Sequence, residues 1–503
     1  MNFKKYLVVF AAAALVSSCS RDDDPTPQPK PETAVTPVRA NDFVWKGLNS
    51  WYYWQKNVPA LGDSYFKTPN DYANFVNAKK PDDLFYSLLY DYPNKDRFSW
   101  IVSDYKELIA QFAGVSKSSG MDLSLYLKNS GNTDVVAIVN YIVPNSPAAA
   151  AGLKRGDVIS AVNGAALTVS NYTALFADQF SVTVAKNVAV SSAGIITSGT
   201  AKTANITAVT LEENPVAYYE TKKINGKNIG YLVYNGFQSN YNDELNAAFG
   251  QMKADNVTDL ILDLRYNGGG SVETATALGQ MVTGQFTGSP YVILDFNDKH
   301  NQYDETDNLS TTVNTYSYSS GGVQNTGAVP VNSLNLNRVY VLTSSGSASA
   351  SELTIQGLKA YINVTTIGGE TYGKFVGSIT LYDSPTSDYT DVNTRNMSHT
   401  WAMQPITFSY YNGKKQENPV SGGIVPNYVF APADYFGKLK EFGDVSGDVA
   451  LAKALELITG VSAGANKMVS PYNPKLKFLG TNSTLTPFGS ELYLEHPGKY
   501  LKK

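Results

Sequence analysis

The stretch Ser344 to Glu352, SSGSASASE, places five serines, two alanines and a glycine ahead of one glutamate. LNRVYVLT before it reads as a buried strand and LTIQGLKAY after it as a helix. A small-residue turn between a strand and a helix is a place where a reactive hydroxyl can be presented. The same residues also read as a capping box, Ser349 capping the helix while Glu352 reaches back, so on their own they leave nucleophile and cap both open. Lys374 lies 25 residues after Ser349, in TTIGGETYGKFVGS, framed by Gly373 and Phe375. A lysine there is often exposed and ordinary. If buried, its ammonium is disfavoured, lowering its pKa from about 10.4, and a neutral lysine can take a proton from a serine hydroxyl, as in the Ser–Lys variants of the hydrolase triad. A third element is Asp263-Leu264-Arg265-Tyr266-Asn267-Gly268-Gly269-Gly270. Its glycines suit a tight turn or a close backbone approach to a substrate carbonyl, and no Gly-Lys-Ser/Thr follows to make a phosphate loop.

The elements that must position these residues divide the chain. Residues 41–115 read as a helical N-terminal region, with Val44, Leu48, Trp51 and Trp54 at helical spacing and Pro81-Asp82-Asp83 opening a further helix. The aromatic stripe is expected to be core. Residues 116–212 are β-rich: in DVVAIVNYIVPNSPAAAAGLKRGDVISAVNG, Gly152 ends a short alanine helix and Asn163-Gly164 closes a hairpin. Residues 213–459 alternate strand and helix, from NIGYLVYNGF to GDVALAKALELITG, which argues an α/β core with crossover connections. Residues 460–503 read as an irregular extension.

Pro147, Ala151-Gly152-Leu153, Gly156-Asp157, Ile159 and Val162-Asn163-Gly164 resemble a PDZ domain. That resemblance implies binding of an extended peptide by β-augmentation, its carboxylate held on backbone N–H groups, with Gly120, Met121, Asp122 and Leu123 as the loop; a spacer role is the alternative. SASASE followed by GETYGK, with DLRYNGGG upstream, resembles the carboxyl-terminal processing peptidases, or tail-specific proteases. The resemblance implies a multidomain α/β protein with a crotonase-like, ClpP-related peptidase core. It implies Ser349 as nucleophile, Lys374 as base, and the N–H groups of Gly269 and Ala350 as oxyanion hole, the helix N-terminus adding its dipole. Two departures stand out. Many members carry a glutamine four residues after the lysine to orient it, where this chain has Ser378, and Asn427 stands where a Pro-Asp is frequent.

At 503 residues and a net charge of −4, the chain has several domains and no electrostatic footprint for nucleic acid. Three separated histidines and a single cysteine make a metal site improbable, and no cofactor is implied. The cysteine, Cys19, ends MNFKKYLVVFAAAALVSSC, a secretory signal that resembles that of a bacterial lipoprotein, 1–19, followed by a Pro-rich tether over 20–40. The expectation is an outer-membrane lipoprotein facing the periplasm or the cell surface. Its partners would be protein or peptide substrates, read in part by their C-termini. Two readings remain: a serine endopeptidase, and a surface lipoprotein that binds peptides without turnover. A glycan-handling role has only scattered acids such as Asp383, Asp388 and Asp391 behind it.

Overall fold

The computed structural model describes residues 33–494 apart from 130, 192–193, 320–321, 431–433, 462–476 and 486–488; Cys19 and most of the tether lie outside the described residues. Two six-stranded sheets organise the core. The first runs, in spatial order, Val216–Ile224, Lys227–Tyr234, Asp259–Asp263, Arg338–Thr343, Asn363–Gly368 and Tyr428–Val429. Its opening pair is antiparallel and the remaining pairings are parallel. Leu260 and Leu262 face helices Asn242–Ala254, Val272–Thr283 and Ala350–Lys359, while Ile261 faces helix Val449–Thr459. Burial on both faces is why these strands read as unbroken apolar runs.

The second sheet runs Gly270–Ser271, Leu492–Leu494, Val376–Ile379, Ile406–Asn412, Pro290–Phe296 and Thr306–Asn308. The N-terminal helices complete its packing. Phe43, Val44, Leu48, Trp51 and Tyr52 join Met403, Phe408 and Leu381 in one apolar cluster, so the aromatic stripe is core. Arg39 pairs through two 2.5 Å bonds with Asp383, and Trp51 Nε1 donates to the Asp388 carbonyl at 2.7 Å. Two of the scattered acids therefore tether the N-terminal helix.

The PDZ-like sheet, Met121–Leu127 through Gly194–Thr207, has its own core around Leu125, Ala137, Ile159 and Val182. Asn163 (φ 50°) and Gly164 (φ 77°) make the hairpin turn, and Gly152 (φ 67°) follows the alanine helix.

The extension after residue 460 is not irregular throughout. Phe478–Thr481 pairs antiparallel with Met121–Leu127, and Leu492–Leu494 pairs parallel with both Gly270–Ser271 and Val376–Ile379. Strands of three and four residues carry too little periodicity to read from sequence, and these two are held by the free edges they meet.

Candidate active site

Ser349 sits where strand Arg338–Thr343 has turned toward helix Ala350–Lys359, with φ 64° and ψ −111°. A non-glycine residue there stores about 1–3 kcal/mol of strain. Its side chain is fully buried, and its Oγ has no hydrogen-bond partner. Its serine neighbours are committed to the framework. Ser347 Oγ donates to the Leu264 carbonyl at 2.8 Å and accepts the Ser344 N–H. Ser351 Oγ donates to the Asn267 carbonyl at 2.9 Å, and Ser344 Oγ to that of Arg265. The expected capping-box arrangement is present on both sides, but only the Glu352 half closes as a hydrogen bond: its Oε2 accepts the Ser349 N–H at 2.8 Å, while the Ser349 Oγ meets the Glu352 N–H too loosely to bond it. The Ser349 hydroxyl is left unspent.

Glu352 has a larger part than the capping motif suggested. Oε2 also accepts the Lys374 N–H at 2.9 Å, while Oε1 accepts the Gly373 N–H at 2.7 Å and the Thr371 hydroxyl at 2.5 Å. One carboxyl thus ties the loop carrying the lysine to the helix start carrying the serine. Burial pushes its pKa up, and these four bonds oppose the rise.

Opposite Ser349 lies the glycine turn, anchored beneath by a buried ionic cluster. Arg265 bonds Asp263 and Asp448, which hold it charged against the cost of burial. Asn267 shapes the turn, donating to the Tyr234 carbonyl at 2.8 Å and accepting the Gly269 N–H at 2.9 Å. Gly269 and Gly270 have φ 115° and 138°, and a Cβ on Gly269 would lie 2.7 Å from Ser349 Cβ and 3.0 Å from Ala350 N. Gly269 therefore faces the serine and the helix N-terminus. Its N–H, however, is taken by Asn267; the N–H beside it, of Gly270, donates to the Glu491 carbonyl at 2.5 Å.

Lys374 is fully buried, with Nζ 5.2 Å from the Phe98 ring centre. That Nζ donates to the Ser490 carbonyl at 2.6 Å and to Glu491 Oε2 at 3.2 Å, so the amine is engaged by the C-terminal segment while the Ser349 hydroxyl stays unpartnered. Ser378 Oγ donates to the Leu492 carbonyl at 3.3 Å and accepts Gln404 Nε2 at 2.9 Å; it makes no hydrogen bond to Lys374. Gln404 Oε1 is buried without a partner. Asn427 is framework, its Oδ1 accepting the Thr366 N–H and hydroxyl.

In the PDZ-like sheet, Gly120 (φ 81°) turns the chain into strand Met121–Leu127. The edge expected to receive a peptide is occupied by the chain itself: the Leu123 N–H donates to Asn482 Oδ1 at 3.0 Å, and Asn482 Nδ2 to the Met121 carbonyl at 2.8 Å. Burial pushes Asp122 up to about 7. Sequence reasoning missed Glu352 beyond its cap, and it missed Glu491 and Gln404. The only prior signal was the glutamate of the capping box. Among the described residues no group of three or more His, Cys, Asp or Glu side chains is placed to hold a metal ion.

Residues 228–429 match the model of peptidase family S41, 39–100 that of the peptidase S41 N-terminal domain, and 138–183 that of a PDZ domain. The core is thus similar to peptidase family S41, and the segment before it to a PDZ domain. Over 277 residues the chain is 25% identical to a carboxyl-terminal-processing protease of Picosynechococcus, covering 54% of this chain and 57% of that one. Over 363 residues it is 25% identical to the carboxy-terminal processing protease CtpB of Bacillus subtilis, covering 69% and 63%. The chain therefore spans somewhat less than two-thirds of these relatives. A solved structure from Bacteroides fragilis, provisionally described as an S41 protease, superposes with TM-score 0.62 at 24% identity, covering 83% of this chain and 97% of that one, and supports the fold.

Proposed function

We propose that the protein is a serine endopeptidase of the carboxyl-terminal processing type, acting on protein or peptide substrates. The observation that carries this reading is Ser349: strained, buried, unpartnered, at a helix start and facing a glycine turn. Its Oγ attacks the scissile carbonyl carbon while Lys374, acting as base, takes the hydroxyl proton. The oxyanion is held by the Ala350 N–H and an N–H of the glycine turn, in a buried site where such donors are worth most. The Lys374 ammonium then protonates the departing amine. A water, giving its proton to the same lysine, opens the acyl-enzyme and releases Ser349. The PDZ edge would take the substrate as an added strand. Cys19 would anchor the protein by lipid in the outer membrane.

The second reading, a peptide-binding lipoprotein without turnover, is favoured by the pairing of Lys374 with Glu491 and by Ser378 in the place of a glutamine. Casein hydrolysis separates the two. We expect turnover by wild type and its loss, by roughly a thousandfold or more, in Ser349→Ala and Lys374→Ala. Full activity in both variants would refute the Ser349–Lys374 assignment, and no hydrolysis by any of the three would favour the second reading.

A further inference from the structure

We propose that residues 489–494, Gly-Ser-Glu-Leu-Tyr-Leu, fill the substrate cleft in cis and restrain the enzyme to a basal rate, and that the same cleft receives an extended peptide once they withdraw. The proposal rests on the peptidase reading above. Leu492–Leu494 lies between Gly270–Ser271 and Val376–Ile379, two strands that do not pair with each other, in register Gly270 to Leu492 and Ser378 to Tyr493. This is how a peptide adds to a sheet. The Glu491 carbonyl accepts the Gly270 N–H, and a Cβ on Gly269 would collide with both that oxygen and Ser349 Cβ. A peptide carbonyl therefore already lies beside the nucleophile, across a position that only glycine can fill. What remains open beside the glycine turn is a cleft of about 110 Å³.

The segment also occupies the base. Trp100 Nε1 donates to Glu491 Oε1 at 2.8 Å, Glu491 Oε2 pairs with Lys374 Nζ, and the Ser490 carbonyl takes a second bond from the same amine. An amine so engaged is directed at the segment and not at the serine hydroxyl. Meanwhile Ser349 Oγ and Gln404 Oε1 are both buried and unpartnered. Ser349 is tied to the Lys374 loop through Glu352, and Gln404 to the strand after it through Ser378; two buried groups without partners there call for an arrangement other than this one. Upstream, Phe478–Thr481 lies on the PDZ strand. The C-terminal segment thus touches both surfaces that a peptide would use.

The test compares casein hydrolysis by the full chain as wild type, Glu491→Gln, Leu492→Asp and Leu492→Asp/Ser349→Ala, alongside amide hydrogen exchange through 490–494. Asp at the fully buried Leu492 position should expel the segment. We expect fast exchange and about tenfold or more faster hydrolysis in Leu492→Asp, a smaller rise in Glu491→Gln, and none in the double variant. A synthetic peptide of residues 489–494 should slow Leu492→Asp back toward wild type. Equal rates in wild type and both single variants would overturn the inhibitory role and leave the peptidase reading standing. Slow exchange through 490–494 in both would also overturn it, making the segment a fixed strand of the fold. No hydrolysis by any protein, with the segment shown to be released, would instead defeat the peptidase reading and the inhibitory role with it.

Discussion

Replacing Glu352 by glutamine removes one oxygen from a carboxyl that accepts four hydrogen bonds, two on each oxygen. With the amide nitrogen in place of Oε2, the Ser349 and Lys374 N–H groups both lose their acceptor; in place of Oε1, only the Gly373 N–H does, because the Thr371 hydroxyl can turn to accept. Hydrogen bonds to a charged group contribute about 1.5–3 kcal/mol each. The loss is partly offset by no longer burying a carboxylate, which burial penalises here. The net expectation is a loss of about 1–3 kcal/mol, or roughly 3–10 °C in Tm for a core of this size. Activity should fall as well, because the Thr371–Lys374 loop loses its tie to the Ser349 turn. Differential scanning calorimetry with a urea midpoint measures the stability change, and casein hydrolysis the rest. A Tm change under about 1 °C would mean that the carboxyl is protonated or that these four bonds are not made, and would rule out the tie between the two loops.

Ser349→Gly should abolish hydrolysis yet raise stability by about 1 kcal/mol, because glycine adopts φ 64° without strain while costing more chain entropy; a destabilisation of that size in a urea titration would contradict the strain assigned to Ser349. Asp122, pushed up to about 7 by burial, keeps in the folded state a proton that the unfolded chain releases near 3.9. Between these values the native state binds more protons, so stability falls as pH rises through the window, by up to about 4 kcal/mol, and levels off above it. Asp122→Asn removes that slope and should be the more stable form at pH 8, with a small difference at pH 4; parallel urea stability curves for the two proteins across this range would count against the burial of the charge.

Much of the scaffold was legible because its signals are local. Helices 350–359 and 449–459 lie where the 3.6-residue pattern predicts them, and the turn at Asn163-Gly164 follows from residues that tolerate positive φ. The strands near 260 and 340 read as apolar runs because both of their faces are covered. What stayed hidden was set by pairings across long stretches of chain. Glu352 meets Thr371 and Lys374 about twenty residues on, so its capping motif announced one of four bonds. Leu492–Leu494 is a strand only because two free edges flank it, and nothing in GSELYL says so. The Gly269 N–H, read as an oxyanion donor, is claimed by an asparagine two residues earlier, a local bond that the glycine pattern masked.

The central claim, that Ser349 is the acylated nucleophile, is tested most directly by acid-quenching wild type and Leu492→Asp during turnover of a slowly deacylated peptide ester and mapping the adduct by mass spectrometry. One acyl group is expected on the peptide containing Ser349, at that residue, more of it in Leu492→Asp and none in Ser349→Ala. An adduct on Ser347 or Ser351, or hydrolysis with no acyl-enzyme in any of them, would contradict it.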